Sequence, residues 1–340
     1  MNANQRYDSV QLMRGVAAVS VIFTHILMIN NGGFGVDLFF CISGFIMMHI
    51  TRTDCKDFLL KRVIRIVPLY WIATFSTAAL LFTMPNVFRT SVLSSENLVK
   101  SLLFIPSIMS EGTTGQNFSL LTVGWTLVME IFFYIIFFVS MKINHGLRHV
   151  ITTIFFVIMV ASGLLVSTDN IFIVFYCRPV ILEFSLGMFA YKILMGKQTS
   201  KQINKQINKQ TGVLLIAFSV LIWASLFAVK HIPFLSDLDR FLKHGLPSFL
   251  FFILIFKYFE HKRIPQVFIL VGNVSYSLYL THTFIVQGFS RLVYNIDEFT
   301  VIGVLLSLFV VIPLCIGVAW VSWYLVENRF TDWVRKRLGV

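Results

Sequence analysis

Apolar stretches of about 20 residues follow one another along almost the whole chain, and that is the length of helix needed to cross a hydrocarbon core about 30 Å thick. Read with such a window, the sequence offers spans at 10–29, 35–50, 68–84, 119–141, 149–167, 171–194, 212–229, 246–259, 268–293 and 299–325. The stretches near 35 and 246 are short, as tilted or partly re-entrant segments are. Composition agrees, with 57% of residues hydrophobic and 13% charged, against about 45–50% apolar and about 25% charged in soluble domains. The expectation is an all-α integral membrane protein in one domain, residues 1–340, with about ten transmembrane helices around a polar cavity.

Basic residues give the orientation. Of the 28 lysines and arginines, 20 fall on the side of the N-terminus and 6 on the other, while Arg14 and Arg178 lie within spans. The positive-inside rule therefore places both termini in the cytoplasm. The net charge of +12 is topological and does not speak for nucleic acid, because the basic residues alternate with spans and form no single stripe. MNANQRYDSV lacks the order of a cleavable signal, and the first span is long enough to stay as an anchor. The four cysteines are scattered without CxxC spacing, so neither a disulfide framework nor a metal site is expected. Residues 196–212, GKQTSKQINKQINKQTG, read as a solvated cytoplasmic linker. The stretch from Pro85 to Phe118 reads as the longest outer loop, carrying a short amphipathic piece, NLVKSLLFIPSIM, and long enough to cover a site.

A few ionisable residues interrupt the apolar segments. Arg14 and His25 share the first span, eleven positions apart, which puts them on one helical stripe with about 16 Å between them along the axis. A charged arginine near the bilayer centre costs roughly 2.5–3.5 kcal/mol on insertion scales, so such side chains point into protein-lined cavities. Asp37 opens the second span, Glu130 lies midway along the fourth, Arg178 and Glu183 interrupt the sixth and His282 sits in the ninth. Together they are expected to line one interior cavity.

Each residue has a chemical and a plainer reading. His25 can take and return a proton near neutral pH, or it can simply be hydrogen-bonded inside the bundle. Asp37 can orient that imidazole or cap the second helix. Glu130 can take part in chemistry or hold helices together by pairing with Arg14 or Arg178. Arg62 and Arg65, three apart in KRVIRIVPLYW, can clamp a phosphate with forked donors, or they can follow from the positive-inside rule and attraction to anionic lipid.

The run LMRGVAAVSVIFTH, residues 12–25, resembles the first-helix signature of the acyltransferase-3 family of integral membrane proteins, an Arg-Gly pair followed eleven residues after the arginine by a histidine. The resemblance continues in order through GVDLFFCISGFIM, KRVIRIVPLYW, GWTLVMEIFFY, RPVILEFSLGMFAY, GNVSYSLYLTH and YLVENRF. GWTLVME and RPVILEFSLG look most like the exopolysaccharide acetyltransferase branch. One departure is Asn328-Arg329, where relatives often have a proline. With the membrane core occupying the 340 residues, no appended hydrolase-like domain is expected.

This resemblance implies transfer of an acyl group, usually acetyl, from cytoplasmic acyl-CoA to a hydroxyl of a surface polysaccharide or its undecaprenyl-linked oligosaccharide precursor, in a bacterial inner membrane. Acetyl-CoA enters as co-substrate, with no permanently bound cofactor and no metal. His25 is then the catalytic histidine, Arg14 a pore-lining partner, and Arg62 and Arg65 contacts for CoA phosphates. Asp37 and Glu130 complete the candidate catalytic group, with Trp125, Ser43, Arg178, Glu183 and His282 facing substrate. Arg14, Trp125 or Ser43 would stabilise the oxyanion, and the nucleophile is either the sugar hydroxyl directly or an acyl-histidine relay. The rival from another class is a transporter or flippase of lipid-linked sugars, for which buried charges are equally apt, although no internal repeat relates the two halves. A polysaccharide polymerase, with no need of CoA, is a further rival.

Overall fold

The computed structural model describes residues 8–26, 34–53, 56–84, 93–108, 118–166, 168–196, 239–259, 262–292 and 301–340. Every regular element among them is helical: α1 Asp8–Ile26, α2 Phe34–Ile50, α3 Phe58–Thr83, α4 Ser95–Leu102, α5 Trp125–Ile143, α6 Arg148–Leu165, α7 Ile171–Tyr176, α8 Leu182–Met195, α9 Leu246–Phe259, α10 Gln266–Asn273, α11 Ser275–Leu292, α12 Val301–Leu306, α13 Ile312–Ser322 and α14 Thr331–Leu338. Six described helices are long and apolar enough to cross a membrane, and a seventh span results if α10 and the bent continuation into α11 are taken together. The expected seventh span, 212–229, and all but the first residue of the 196–212 linker lie outside the described residues.

The outer surface is greasy, with Leu165, Phe82 and Phe309 exposed by 86%, 81% and 74%. A soluble bundle would bury such side chains, whereas lipid accepts them at no cost.

Four spans differ from their expected form, each at an identifiable residue. The third begins ten residues early, because the basic segment from Phe58 is already helical and Pro68 lies inside α3 rather than at its start. A proline there removes one backbone hydrogen bond, which neighbouring groups in a bundle can offset. The Tyr276 hydroxyl donates to the Ile66 carbonyl at 2.8 Å, two residues before that proline. The sixth span is broken at Arg178, extended at φ −64°, ψ 134°, since the following Pro179 disfavours a helical residue before it. The ninth is bent by 72° between α10 and α11. The last helix runs on past 325 through YLVENRF to Leu338, which the absence of a proline at 328 permits.

Packing at the centre brings α1, α2, α8, α10 and α11 together. Helices α2 and α8 run side by side in the same direction, with Phe40 on Phe184 and Phe45 on Tyr191 at centroid distances of 4.4 and 5.5 Å. Their backbones touch: a Cβ on Gly44 would strike the Phe184 carbonyl, and one on Gly187 the Cys41 carbonyl. Small residues are the means by which helices approach in lipid, where no hydrophobic force drives them together. This contact lies one turn from Asp37 and Glu183 and so fixes both carboxyl groups. The bundle thus has two ends. At the proximal end the start of α6 meets the end of α2, His145 Nε2 donating to the Thr51 carbonyl at 2.9 Å. At the distal end the starts of α2, α5 and α8 converge.

Candidate active site

Between α2, α3, α5 and α11 lies a cleft of about 710 Å³, counted with the space at its open mouth, with Arg14, Ser43, Arg65, Glu130 and Tyr134 among its lining residues. Glu130 Oε1 accepts from Ser43 Oγ at 2.7 Å and from the Tyr134 hydroxyl at 2.5 Å. Neither Arg14 nor Arg178 pairs with Glu130, so the ion-pair reading of that residue gives way to a hydroxyl-bound carboxylate. Arg14 Nη1 lies 3.4 Å from Gln11 Oε1, and Arg14 and Arg65 both act on the carboxyl group of Glu327. Arg62, one turn before Arg65, has its guanidinium near Glu130, and among the described residues its buried Nε has no hydrogen-bond partner.

The wall at the distal side of this cavity is a hydrogen-bonded latch. The Tyr279 hydroxyl lies 2.9 Å from Thr126 Oγ1 and 3.1 Å from the Val123 carbonyl. A turn beyond Tyr279 on α11 is His282, fully buried, in edge-to-face contact with His25 at 4.9 Å between ring centroids.

The tautomers of the two imidazoles follow from their partners. A carbonyl can only accept, so His282 Nδ1, at 2.8 Å from the Tyr279 carbonyl and 3.2 Å from that of Leu278, carries a proton. Likewise His25 Nδ1, 2.9 Å from the Val21 carbonyl, is a donor. His282 Nε2 presents its lone pair to that same N–H at 3.4 Å. Among the described residues His25 Nε2 is left as the nitrogen with a lone pair and no hydrogen-bond partner.

Asp37 does not take part in this pair. It is completely buried four residues into α2 and accepts at Oδ1 from Arg240 Nε and Nη2 at 3.2 and 3.1 Å. Both readings of Asp37, as orienter of His25 or as helix cap, therefore yield to a buried ion pair. Glu183, equally buried, stands beside Asp37 in the field of Arg240. Trp125 spreads beneath two guanidiniums, with Arg178 Cζ 5.7 Å and Arg240 Cζ 5.6 Å from its ring.

The expected single cavity is thus three neighbourhoods: a proximal cavity with Arg14, Arg65, Ser43 and Glu130, a histidine pair, and a distal charged cluster of Asp37, Glu183, Arg240, Arg178 and Trp125. Two expected oxyanion donors are not offered to His25. Ser43 gives its proton to Glu130, and Arg14 is about 16 Å down α1. Sequence reading passed over Arg240 because it lies in the polar entrance of a span and counts as an outer loop charge. Residues 239 and 240 are already helical, ahead of the apolar run. Nothing in the sequence sets Tyr134 and Tyr279 apart from the other aromatic residues of their spans. Glu327, in the YLVENRF segment, accepts from the Ser277 backbone at 3.1 Å and from its hydroxyl at 2.5 Å, tying α11 to the last helix.

Helices clad in apolar surface around buried imidazoles, arginines and carboxylates define a multi-pass membrane protein with an interior built for polar chemistry. The acyltransferase-3 family model, described as an acyltransferase domain, matches residues 7–325, and the chain belongs to that family as an O-acyltransferase using an acyl donor as co-substrate. It is 33% identical over 261 residues to the exopolysaccharide production protein ExoZ of Rhizobium meliloti (strain 1021), covering 75% of this chain and 77% of that one. A putative acetyltransferase, ORF330, of Acidianus two-tailed virus is 23% identical over 299 residues, covering 82% and 83%. A putative peptidoglycan O-acetyltransferase, YrhL, of Bacillus subtilis (strain 168) is 33% identical over 139 residues, 36% of this chain and 22% of that protein. No solved structure matches the chain.

Proposed function

We propose that this protein moves an acyl group, acetyl in the first instance, from cytoplasmic acyl-CoA to a hydroxyl of a surface polysaccharide or its lipid-linked precursor, in the inner membrane of a bacterium with both termini cytoplasmic. The observation that carries the reading is the state of His25, whose Nδ1 is committed to the Val21 carbonyl and His282 while Nε2 is free to act as a base.

In this scheme the phosphates of the donor bind at the proximal cavity, where Arg65 and Arg14 supply guanidinium forks and Arg62 adds its charge nearby. The pantetheine arm extends along the cavity toward the Tyr279–Thr126 latch. A sugar hydroxyl approaching from the distal side gives its proton to His25 Nε2 as its oxygen attacks the thioester carbonyl. The new C–O bond forms, the C–S bond breaks, and the proton passes from His25 to the departing CoA sulfur, so charge and atoms balance. His282 accepts from His25 Nδ1–H throughout and steadies the imidazolium, the part a carboxylate plays in hydrolase triads. Direct attack by the sugar is preferred over an acyl-histidine relay, because Nε2 then serves as base while the hydrogen bonds of Nδ1 hold the ring in place.

The test is acceptor-dependent release of free CoA thiol by purified protein in nanodiscs, with acetyl-CoA and an oligosaccharide from the producing cell. Release above the blank, abolished by His25→Gln in a protein that still folds, is the expected outcome. Transport of the saccharide without CoA consumption would replace this reading with the flippase.

A further inference from the structure

A second cavity opens at the distal end, away from the donor site, about 1040 Å³ counted with the space at its mouth, between the end of α6, α7 and the Arg178 break. Two kinds of surface line it. One wall is apolar, built from Leu164, Val166, Ile173 and Val174, and Leu164 and Val166 are 44% and 50% exposed on the lipid-facing side of the bundle. The other carries Arg178 and Arg240. Arg240 is held by Asp37 through Nε and Nη2. Arg178 differs. Among the described residues it has no hydrogen bond and no carboxylate partner, and its contacts are the faces of Phe118 and Trp125, at 5.5 and 5.7 Å from Cζ.

An unpaired guanidinium inside a membrane protein is costly unless it has a ligand. Ring faces hold the planar group in place by cation–π attraction yet satisfy none of its five N–H donors. Such a fork, fixed from behind and open in front, suits an oxyanion that accepts two parallel hydrogen bonds. The apolar wall beside it suits hydrocarbon. From this juxtaposition we infer that the distal cavity binds the phosphate of a lipid-linked saccharide, with Arg178 as its anion fork, Arg240 as a second charge and the Leu164–Val174 wall against the first isoprene units. The inference rests on the proposed acyl transfer for its biological sense, since it would hold the acceptor by its lipid phosphate at the end of the bundle where the saccharide is to be acylated.

Native mass spectrometry of the full chain in detergent tests the site without relying on catalysis. Farnesyl diphosphate, a uronic-acid disaccharide and a neutral disaccharide are titrated with saturating CoA present, so that the proximal cavity is occupied. The site predicts that farnesyl diphosphate is retained, that Arg178→Gln weakens it by about tenfold or more, and that Arg178→Lys weakens it less. Equal retention by the Gln variant, or displacement of farnesyl diphosphate by CoA in the wild type, overturns the assignment. Tighter, Arg178-dependent retention of the uronic acid overturns the lipid phosphate in favour of an acidic sugar. Should the Gln variant also lose CoA binding, the Lys variant decides alone: weakened farnesyl diphosphate with normal CoA supports the site, and unchanged farnesyl diphosphate refutes it. Acyl transfer is read separately, so failure of the transferase reading leaves a distinct trace: lipid diphosphate bound, CoA thiol never released.

Discussion

Arg14 and His25 lie on one stripe of α1, yet the two ends of that stripe meet opposite surroundings. Around Arg14 there is a cavity, a second arginine, and a glutamate bound by hydroxyls. Around His25, which is half-buried, there is a backbone carbonyl and a second imidazole whose own proton is pinned by two further carbonyls. On the proposed reading the difference separates two tasks. Charge that must grip a large, hydrated anion needs room and spare donors, whereas a group that must move one proton needs a fixed tautomer and little water.

Substitutions can break this division, and the largest effect is expected at His25. His25→Gln keeps size and polarity but has no basic nitrogen, and acyl transfer should fall by about 10²–10⁴-fold at normal membrane levels, measured as CoA thiol release. Next comes the distal ion pair. Arg240→Gln leaves Asp37 buried and unpaired, at a cost of about 3 kcal/mol, seen as a lowered thermal midpoint in detergent. A second change, Asp37→Asn, should recover much of that loss, because two neutral partners can share a hydrogen bond where one lone carboxylate cannot. At the proximal end Arg65→Gln should raise the KM for acetyl-CoA by about tenfold and leave kcat nearly unchanged, as loss of a charge-assisted bond to a distant phosphate does. Ser43→Ala is the smallest, about 1 kcal/mol, since Glu130 keeps Tyr134. A Ser43 variant as damaging as the His25 variant would mean that the two ends of the stripe are not separate.

Much of the fold was legible because a membrane forces long apolar helices, and α1, α5 and α6 fall within a few residues of their expected spans. What escaped was how polar groups pair. Hydropathy sees Arg240 as a loop charge and Asp37 as a helix start, but the contact of α2 with α8 through Gly44 and Gly187 brings the two carboxyl groups together, and the helical segment ahead of α9, packed against both, adds the guanidinium. The break at Arg178 was written in the following proline, yet a 24-residue apolar window averages over one proline, and so the segment reads as continuous. His282 was visible as a buried polar residue. Its contact with His25 was not, because nothing in sequence spacing joins α1 to α11.

The central claim is that His25 performs acyl transfer to a polysaccharide hydroxyl. It is met most directly by proton NMR of ester-linked acyl groups on surface polysaccharide from cells lacking the gene, complemented with wild type, or complemented with His25→Ala. The account predicts loss of esters on deletion, recovery with wild type and no recovery with the variant. Unchanged esters with less or shorter polysaccharide would contradict it and speak for a flippase or polymerase instead.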